Sequence, residues 1–429
     1  MALPETFGVL REPRFRLLWV GQATSTLGDG LLPVALAFAV LDGLDRSATA
    51  LGVVFAAHTL PLAVFVLAGG VWADRLPRQL VMLASDLVRC AVQATLAVLF
   101  LSGAAELWHL VTLIAVYGTA EAFFQPAATG LVPETVSSSR LQQANAMLGL
   151  TRSGAFVIGP AVAGALLAVA NPGFVFAVDA ATFAVSAVSL ALLRVPRRVR
   201  DRARESFLAE LAAGWRELVS RTWLWVIILW ATTILFAVVA PFQTLGPLVA
   251  KQSLGGAAAW GMIAAAFGLG MVVGGLTALR FKPSRPMLAC SLAFFLAVPG
   301  PALLAMRAPA IAIAGAQVLA GVAIGFFIAV WQTTMQQHVP EESLSRVSAW
   351  DWLGSFALVP LGFVLAGPVS DQIGVSTTLW ISAGWCALST ALVLAVPGIR
   401  NLRRLEEETG VPVVPAADPA VVVGRPEPQ

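Results

Sequence analysis

Long apolar runs alternate with short polar breaks along almost the whole chain. Each run has at least about 20 residues, the length that an α-helix needs to cross a bilayer. Cutting the chain at its charges, prolines and glycines predicts twelve membrane helices, at residues 15–41, 48–72, 79–102, 107–131, 141–170, 173–195, 222–250, 257–280, 286–305, 309–335, 344–369 and 375–397. The pattern therefore predicts an all-α integral membrane fold of twelve transmembrane helices.

The predicted helices form two groups of six. We predict an N-terminal six-helix half over 1–195, a basic cytoplasmic linker over 196–221, a C-terminal six-helix half over 222–398 and a disordered cytoplasmic tail over 399–429. The halves share a loop motif. Val132-Pro133-Glu134 and then Arg140 precede the fifth helix, and Val339-Pro340-Glu341 and then Arg346 precede the eleventh. The two sets lie about 207 residues apart, which indicates the internal duplication found in many transporters.

Composition excludes a soluble fold. Of the 429 residues, 58% are hydrophobic and 12% are charged, whereas roughly a quarter of the residues are charged in soluble domains. The three cysteines and three histidines are too dispersed for a disulfide framework or a metal site. No Gly-rich loop with a Lys is available to hold the phosphates of ATP. We expect no enzyme activity, cofactor, metal or nucleic-acid partner, and we expect the lipid bilayer to be the main surrounding.

The basic residues indicate the orientation in the membrane. With a cytoplasmic N-terminus, 22 of the 27 Lys and Arg residues lie on the cytoplasmic side, 3 lie on the other side, and Arg89 and Arg152 lie inside helices. Cytoplasmic loops carry the excess of positive charge in membrane proteins, so we predict that both termini are cytoplasmic. The scarcity of Lys and the abundance of Ala are typical of a GC-rich bacterial genome, which would place the protein in a bacterial inner membrane.

A short charged turn follows the second predicted helix. It resembles the loop between the second and third helices of the major facilitator superfamily, whose pattern is Gly-x-x-x-Asp-Arg-x-Gly-Arg-Arg/Lys. The matching residues are Gly70, Asp74, Arg75 and Arg78. Pro77 stands in place of the second Gly of the pattern, and Gln79 stands in place of a basic residue.

Further stretches resemble the drug exporters of that family, which include macrolide-efflux and enterobactin-exporter proteins. They are Ser25-Thr26-Leu27-Gly28-Asp29 in the first helix, Phe124-Gln125-Pro126-Ala127 in the fourth, Ala144-Asn145, Gly159-Pro160 and Gly164 in the fifth, Asp179-Ala180-Ala181-Thr182-Phe183 in the sixth, and Gly214-Trp215 in the linker. The resemblance covers the first 230 residues, and the second half matches mainly in layout. It implies two halves that rock about a central cavity and exchange a lipophilic compound for protons.

The resemblance assigns a gating role to the charged turn. In the family, the residue at the position of Asp74 contacts the N-terminal end of the eleventh helix and holds the outward-facing state, since the end of a helix attracts an opposite charge. The alternative is a solvated turn that follows the distribution of positive charge. We interpret Asp86 and Arg89, three residues apart in the third helix, as a structural pair that supports this turn.

Asp29 lies about midway along the first helix, where an unpaired charge costs about 3 kcal/mol or more. Gln22, Ser25 and Asp29 recur every three to four residues and therefore share one helix face, as expected for the wall of a water-filled cavity. We predict that Asp29 binds a proton or contacts a cationic substrate. The alternative is that Asp29, between Gly28 and Gly30, satisfies backbone groups at a kink.

Glu121 shares a face of the fourth helix with Tyr117 and Phe124, and Gln125 lies beside them. A carboxylate among aromatic rings suits a lipophilic cation, and it suits proton coupling because burial favours the neutral form of a carboxyl group. A structural pair across the bundle is the rival interpretation. Arg152 in the fifth helix needs a partner within the membrane, and Glu121 is the candidate. Such a pair would either contact substrate or act as a proton-dependent switch.

Small residues recur along the fifth helix at Gly154, Gly159, Pro160 and Gly164. They favour close helix packing, Pro160 interrupts the backbone hydrogen bonds, and in similar drug antiporters such a stretch is associated with the direction of export. The spans of the second half have almost no interior charge, so we predict an aromatic and amide-lined cavity wall there. Its candidate residues are Phe236, Gln243, Gln317, Trp331 and Gln332.

These features predict a proton-coupled antiporter that exports lipophilic small molecules, such as drugs or macrolides, by alternating access as a monomer. Asp29, Glu121 and Arg152 are the candidates for proton coupling. Export of a siderophore or secondary metabolite is an alternative within this class. A nutrient importer or a membrane sensor would fit the same fold.

Overall fold

The computed structural model describes residues 8–195 and 207–405; for residues 66–75, 207–213, 341, 342 and 345 it describes the backbone alone. Within this part of the chain, twelve helices are long and apolar enough to cross a membrane, and no strand is present. The predicted all-α fold with twelve membrane helices is confirmed.

The membrane helices begin and end close to the predicted limits. The first to sixth are Pro13–Phe38, Ala48–Arg75, Arg78–Ser102, Leu107–Thr135, Leu141–Leu167 and Pro172–Leu192. The seventh to twelfth are Thr222–Leu254, Gly256–Arg280, Pro286–Ala305, Ala310–His338, Arg346–Ile373 and Val375–Ala395.

Local sequence explains several of these ends. Pro13 and Pro172 occupy the first turns of their helices, where a missing amide N–H leaves no helical hydrogen bond unmade. The side chain of Asn171 accepts a 2.7 Å hydrogen bond from the amide of Gly173 and caps the sixth helix. The third helix ends at Gly103, whose φ of 72° is a left-handed conformation that glycine adopts without a Cβ clash.

Interruptions inside the helices were not predicted. The seventh helix contains two π-turns, Leu235–Val239 and Ala250–Leu254. The eleventh span belongs to a helix that already begins at Glu341, and this helix is divided into Glu341–Phe356 and Val359–Ile373, just ahead of Pro360. Proline removes one N–H donor from a helix and clashes with the preceding turn, which explains the break in the eleventh helix. A π-turn leaves no comparable mark on the hydrophobic pattern.

The two halves are joined by two pairs of helices. Within the N-terminal half, the first helix packs against the fifth and sixth, the second against the fourth, and the third against the fourth and sixth. In the C-terminal half, the eighth and tenth helices pack closely. The fifth helix packs against the eighth and the second against the eleventh, so these four helices form the interface between the halves.

The loops lie on two faces of the bundle. We call the face that carries residue 8 and the turn at 76–77 the N-terminal face, and the face that carries the loops 44–47 and 103–106 the opposite face. On the opposite face, Lys251 Nζ lies 3.0 Å from Asp42 Oδ1. This contact ties the seventh helix of one half to the first helix of the other.

The interface continues around Lys251. The ammonium group also lies 3.5 Å from Asp45 Oδ1 and donates to the carbonyl oxygen of Leu41. Nearby, the hydroxyl of Thr49 donates a 3.1 Å hydrogen bond to Asp371 Oδ2. The two halves therefore meet on the opposite face through both charge and hydrogen bonds.

The basic linker contains a helix that we did not predict. Residues 196–206 lie outside the described part of the chain, and Phe207–Ser220 is helical. This linker helix packs against the start of the eleventh helix, where the rings of Trp215 and Trp350 lie 4.9 Å apart. The aromatic contact explains why part of a hydrophilic connection is ordered.

The predicted disordered tail is ordered over its first residues. Pro397–Arg400 forms a short helix, and the amide of Arg404 donates to the carbonyl oxygen of Ser284 at 2.9 Å. The Nε2 atom of His338 lies 3.1 Å from the carbonyl oxygen of Arg403. Backbone hydrogen bonds to the C-terminal half thus hold residues 399–405, and residues 406–429 lie outside the described part of the chain.

Candidate functional site

A buried guanidinium group organises the polar residues of the N-terminal half. Arg89 of the third helix is fully buried, and its Nη atoms lie 2.5 Å from Asp86 Oδ1 and 3.3 Å from Asp29 Oδ1. The other oxygen of Asp86 accepts a 2.5 Å hydrogen bond from the hydroxyl of Ser186. Asp86 is also fully buried, and these contacts are what a buried carboxylate requires.

This arrangement changes the interpretation of the pair in the third helix. Asp86 and Arg89 are paired, as predicted, but Arg89 points to Asp29 of the first helix and Asp86 to Ser186 of the sixth. They therefore connect three helices in the interior of the half. These contacts do not indicate that the pair supports the charged turn.

Aromatic rings surround the guanidinium group of Arg89. Its central carbon lies 4.4 Å from the ring centre of Phe124, 4.5 Å from that of Phe183 and 5.8 Å from that of Tyr117. Tyr117 also donates a hydrogen bond from its hydroxyl group to Asp29 Oδ1. Cation–π attraction therefore adds to the ion pairs, and the buried rings of Tyr117 and Phe124 hold the network and do not line an open cavity here.

Glu121 pairs with a residue that the sequence analysis did not select. His58 Nε2, in the second helix, lies 2.9 Å from Glu121 Oε2. The predicted partner, Arg152, is exposed and forms no ion pair within the described residues. The prediction of an Arg152–Glu121 pair is therefore wrong. The available signal was that His58 is the single ionisable residue in the apolar run of the second helix ahead of Asp74.

Asp179 of the sixth helix extends the same network. It is buried, and its Oδ2 atom accepts a 2.6 Å hydrogen bond from Gln93 Nε2. Thr182 lies 3.3 Å from the other oxygen. Gly28, next to Asp29, leaves the space that this carboxyl group occupies, because a Cβ at Gly28 would overlap Asp179.

The network holds more acidic groups than basic ones. Its carboxyl groups belong to Asp29, Asp86, Glu121 and Asp179, and the groups that carry or accept positive charge are Arg89 and His58. The side chains of Asp29 and Glu121 are 29% and 17% exposed, whereas that of Asp86 has no exposed surface. Asp29 and Glu121 are therefore more accessible to solvent than Asp86.

The charged turn is described only in part. The side chains of Gly70, Asp74 and Arg75 lie outside the described part of the chain. Arg78 begins the third helix and donates hydrogen bonds to the carbonyl oxygen of Gly130 at 2.7 Å and to Glu134 Oε1 at 2.9 Å. These contacts attach the turn to the end of the fourth helix.

The remaining cavity candidates divide by exposure. In the N-terminal half, Gln22 and Ser25 are buried, and the Ser25 hydroxyl donates a 3.3 Å hydrogen bond to the backbone carbonyl oxygen of Gln22 in the preceding turn. Gln125 is exposed. In the C-terminal half, Gln243 and Gln332 are exposed.

Two further candidates in that half are less accessible. Phe236 is half-buried within a π-turn of the seventh helix. Gln317 is buried and packs against Gly300 of the ninth helix. The structure therefore does not bring all of the cavity candidates together on one open surface.

The small residues of the fifth helix have three different surroundings. Gly159 packs directly against Gly30 of the first helix, and Gly164 packs against Gly261 of the eighth. The carbonyl oxygen of Pro160 lies 2.5 Å from the position that a Cβ on Gly261 would take. Gly154, by contrast, has open space around it. Gly164 and Pro160 thus lie at the interface between the halves.

The second half contains an interior carboxylate that the sequence analysis overlooked. Asp351 of the eleventh helix is half-buried and accepts a 3.0 Å hydrogen bond from the indole Nε1 of Trp331. The sequence pattern predicts an aromatic and amide-lined wall here, so this carboxylate is a difference from the prediction. The signal was obscured because Asp351 lies between two tryptophans near the start of an apolar run.

The chain is similar to known proteins in both sequence and fold. The chain is 25% identical to macrolide efflux protein A of Streptococcus pyogenes over 407 residues, which cover 92% of this chain and 97% of the relative. It is 27% identical to the enterobactin exporter EntS of Salmonella typhi over 417 residues, covering 92% and 94%. The fold matches the crystal structure of the nucleoside transporter NupG with a TM-score of 0.69 and 15% identity, over 89% of this chain and 98% of that one.

The family profile of the Major Facilitator Superfamily matches residues 18–359. This range contains most of both six-helix halves, including Asp29, Arg89, Glu121 and Asp351. The chain is a multi-pass membrane protein that belongs to the Major Facilitator Superfamily, with exporters among its relatives.

Proposed function

We propose that this protein is a proton-coupled exporter of lipophilic small molecules that works by alternating access. The observation that carries the proposal is the surplus of carboxyl groups around the single guanidinium of Arg89, with Asp29 and Glu121 partly exposed. Carboxyl groups held in a low-dielectric interior bind and release protons as their surroundings change. The similarity to a macrolide efflux protein supports export of lipophilic compounds.

Asp29 is the group at which proton binding would have the widest effect. Its Oδ1 atom accepts from both Arg89 and Tyr117, so a proton on this carboxyl group weakens the link between the first helix and the third and fourth. Arg89 keeps its shorter contact with Asp86. Protonation would therefore loosen the first helix and leave the centre of the half intact.

Glu121 and His58 offer a second place for proton exchange. Their 2.9 Å contact links the second and fourth helices, and both side chains are partly exposed. Imidazole is the side-chain group most often used for proton exchange in proteins near neutral pH. The second helix also packs against the eleventh at the interface between the halves, so a change at His58 lies on an element that joins the halves.

Alternating access requires the opposite face to open. In the structure, Lys251 holds the two halves together there through Asp42 and Asp45. These side chains are exposed enough for water to compete for them, so each contact is individually weak. The contacts suit a closure that forms and breaks during each transport cycle.

The proposed orientation decides which side of the membrane the structure is closed toward. We propose that the N-terminal face is cytoplasmic, as the distribution of Lys and Arg predicts, and that the membrane is the bacterial inner membrane. The structure is then closed toward the outside through Lys251. The charged turn at Asp74 would hold the complementary state by its contact with the eleventh helix.

Transport into inverted membrane vesicles tests the proposal. Vesicles with an imposed proton gradient would be offered a macrolide and a fluorescent lipophilic cation, and uptake would be compared for wild type, Asp29→Asn and Glu121→Gln. We expect gradient-dependent uptake by the wild type and its loss in at least one variant. The control is Glu106→Gln, which alters an exposed carboxylate at the N-cap of the fourth helix, outside the network. Glutamine keeps a side-chain oxygen that can accept the capping hydrogen bond and the one from Trp108, so this variant should transport normally.

Uptake equal to that of empty vesicles for both compounds would reject the export of lipophilic drugs. Siderophore export is the second candidate, supported by the similarity to an enterobactin exporter, and it predicts uptake of a catechol siderophore into the same vesicles. A nutrient importer would instead accumulate its substrate in right-side-out vesicles. A sensor would transport nothing and would be insensitive to neutralising Asp29.

A further inference from the structure

Corresponding positions in the two halves carry an aromatic residue followed by glutamine. Phe124 lies eight residues before Val132, and Trp331 lies eight residues before Val339, in the Val-Pro-Glu segments that mark the duplication. Gln125 and Gln332 follow them directly. The fourth and tenth helices therefore present matching aromatic positions to their respective halves.

The N-terminal half provides its own cation at this position. The guanidinium carbon of Arg89 lies 4.4 Å from the ring centre of Phe124, and the same group pairs with Asp86 and Asp29. The aromatic ring, the positive charge and the carboxylates complete one another. No external group is needed to balance Asp86.

The C-terminal half has the ring and a carboxylate of its own, which comes from a different position because the offset between the halves relates Asp351 to Ala144. Trp331 donates its indole hydrogen bond to Asp351 at 3.0 Å. The offset between the halves, which also relates Arg78 to Arg285, places Leu296 at the position of Arg89. Within the described residues, Asp351 has no ion pair with Lys, Arg or His. A carboxylate within a membrane span normally faces a partner of opposite charge, and this one lacks it.

The surroundings of Asp351 favour a hydrophobic cation as that partner. The ring of Trp331 stacks on that of Phe327, with ring centres 5.9 Å apart and an interplanar angle of 10°. Trp223 contacts the ring of Trp331 edge to face, with ring centres 5.7 Å apart. These rings hold the indole in place, so that Trp331 positions the carboxylate. Asp351 itself is half-buried and keeps part of its surface exposed.

We propose that Asp351, held by Trp331, binds the positively charged group of a lipophilic organic cation. The positive charge of the ligand would lie beside Trp331 and Asp351 in the C-terminal half, as the guanidinium group of Arg89 lies beside Phe124, Asp29 and Asp86 in the N-terminal half. The inference deepens the proposed function and rests on it for the class of cargo. Charge recognition would then lie in one half and proton binding in the other.

Equilibrium binding tests this inference without any proton gradient. Purified full-length protein in detergent would be titrated with radiolabelled tetraphenylphosphonium, a permanent lipophilic cation, and with triphenylphosphine oxide, a neutral relative. Asp351→Asn should weaken tetraphenylphosphonium binding roughly tenfold or more, because a desolvated charge partner is lost, and should leave binding of the neutral compound within about twofold. Asp351→Glu keeps the charge and should retain most of the affinity for the cation.

Two further variants sharpen the test. Trp331→Phe removes the indole donor and keeps an aromatic ring, so it should weaken binding of the cation less than Asp351→Asn does and spare the neutral compound. Glu106→Gln is the control for loss of an exposed carboxylate. A merely structural role of Trp331 would change the affinities for both compounds equally.

Each other outcome overturns the inference. Charge recognition by Asp351 is rejected if Asp351→Asn binds tetraphenylphosphonium with unchanged affinity, or if its affinities for both compounds fall equally. It is also rejected if the wild type binds no tetraphenylphosphonium. Failure of the proposed function gives a different result: binding through Asp351 would persist, while inverted vesicles would show no gradient-driven uptake.

Discussion

The imidazole Nε2 of His58 lies 2.9 Å from Glu121 Oε2, so a histidine of the second helix is the partner of the carboxylate in the fourth. The two residues are 63 positions apart in the sequence. Each is partly exposed, and the ring of His58 lies 5.7 Å from that of Tyr117, which bonds Asp29. His58 therefore contacts one of the two carboxyl groups that we propose for proton coupling, and its ring lies beside the tyrosine that donates a hydrogen bond to the other.

Substitutions at His58 should separate stability from transport. His58→Leu leaves Glu121 without its hydrogen-bond partner, and we expect unfolding to become easier by about 1–3 kcal/mol. His58→Gln retains a hydrogen-bond donor and removes the proton-binding ring, so it should restore much of the melting temperature but not gradient-dependent uptake. Thermal unfolding in detergent and uptake by inverted vesicles measure the two effects. Full transport by His58→Gln would show that the imidazole has only a structural role.

Removing the buried guanidinium should be the most damaging change in the N-terminal half. Arg89→Met leaves Asp86 fully buried without its cation, and breaking a buried ion pair in this way lowers the free energy of unfolding by about 3–5 kcal/mol. The double variant Arg89→Met/Asp86→Asn removes the stranded charge as well and should recover part of that loss. Thermal melting of purified protein measures both. If the double variant is less stable than the single one, Asp86 is not the residue that Arg89 compensates.

The number and limits of the helices could be predicted because a bilayer requires long uninterrupted apolar runs, which are visible in any one sequence. The partners of Asp29 could not be predicted in the same way. Arg89 and Tyr117 come from other helices, and their contact depends on how three helices rotate and slide against one another. Spacing along one helix, as for Asp86 and Arg89, was the limit of what the pattern predicted.

The two wrong expectations have different causes. Charge and position on consecutive helices favour an Arg152–Glu121 pair, yet the second helix packs against the fourth and brings His58 to Glu121. The sequence order does not specify which helices are neighbours in space. Asp351 is hard to recognise for a local reason, because it lies between two tryptophans near the start of an apolar run.

The contact on the opposite face should control how often the halves separate there. Lys251→Met removes the charge that joins Asp42 and Asp45, so we expect the open population on that face to grow. Distances would be measured by pulsed electron paramagnetic resonance between spin labels on cysteines that replace Ala104 and Met306, after the three native cysteines are replaced. We expect longer distances in Lys251→Met.

Charge reversal provides the control for that experiment. Lys251→Asp combined with Asp42→Lys exchanges the charges and should restore shorter distances between the labels, whereas Lys251→Asp alone should place three acidic side chains together and open the face further. Unchanged distances in Lys251→Asp would mean that packing of the second and eleventh helices, and not this contact, closes the opposite face.

Two glycines of the fifth helix should respond in opposite ways to the same substitution. A Cβ on Gly164 would lie 2.7 Å from the carbonyl oxygen of Ala257 and 2.9 Å from Gly261 Cα, whereas a Cβ on Gly154 would meet nothing within 4 Å. Gly164→Ala must therefore push the fifth and eighth helices apart, and overpacking of this kind costs about 1–3 kcal/mol. Gly154→Ala should be neutral or stabilising by about 0.5–1 kcal/mol, since alanine is the better helix former.

Melting temperatures and vesicle uptake of the two variants compare them directly, because the chemical change is the same at both positions. Equal behaviour of the two would show that the halves do not rely on close contact at Gly164, and a loss of transport by Gly164→Ala at unchanged melting temperature would place the effect on the movement between the halves.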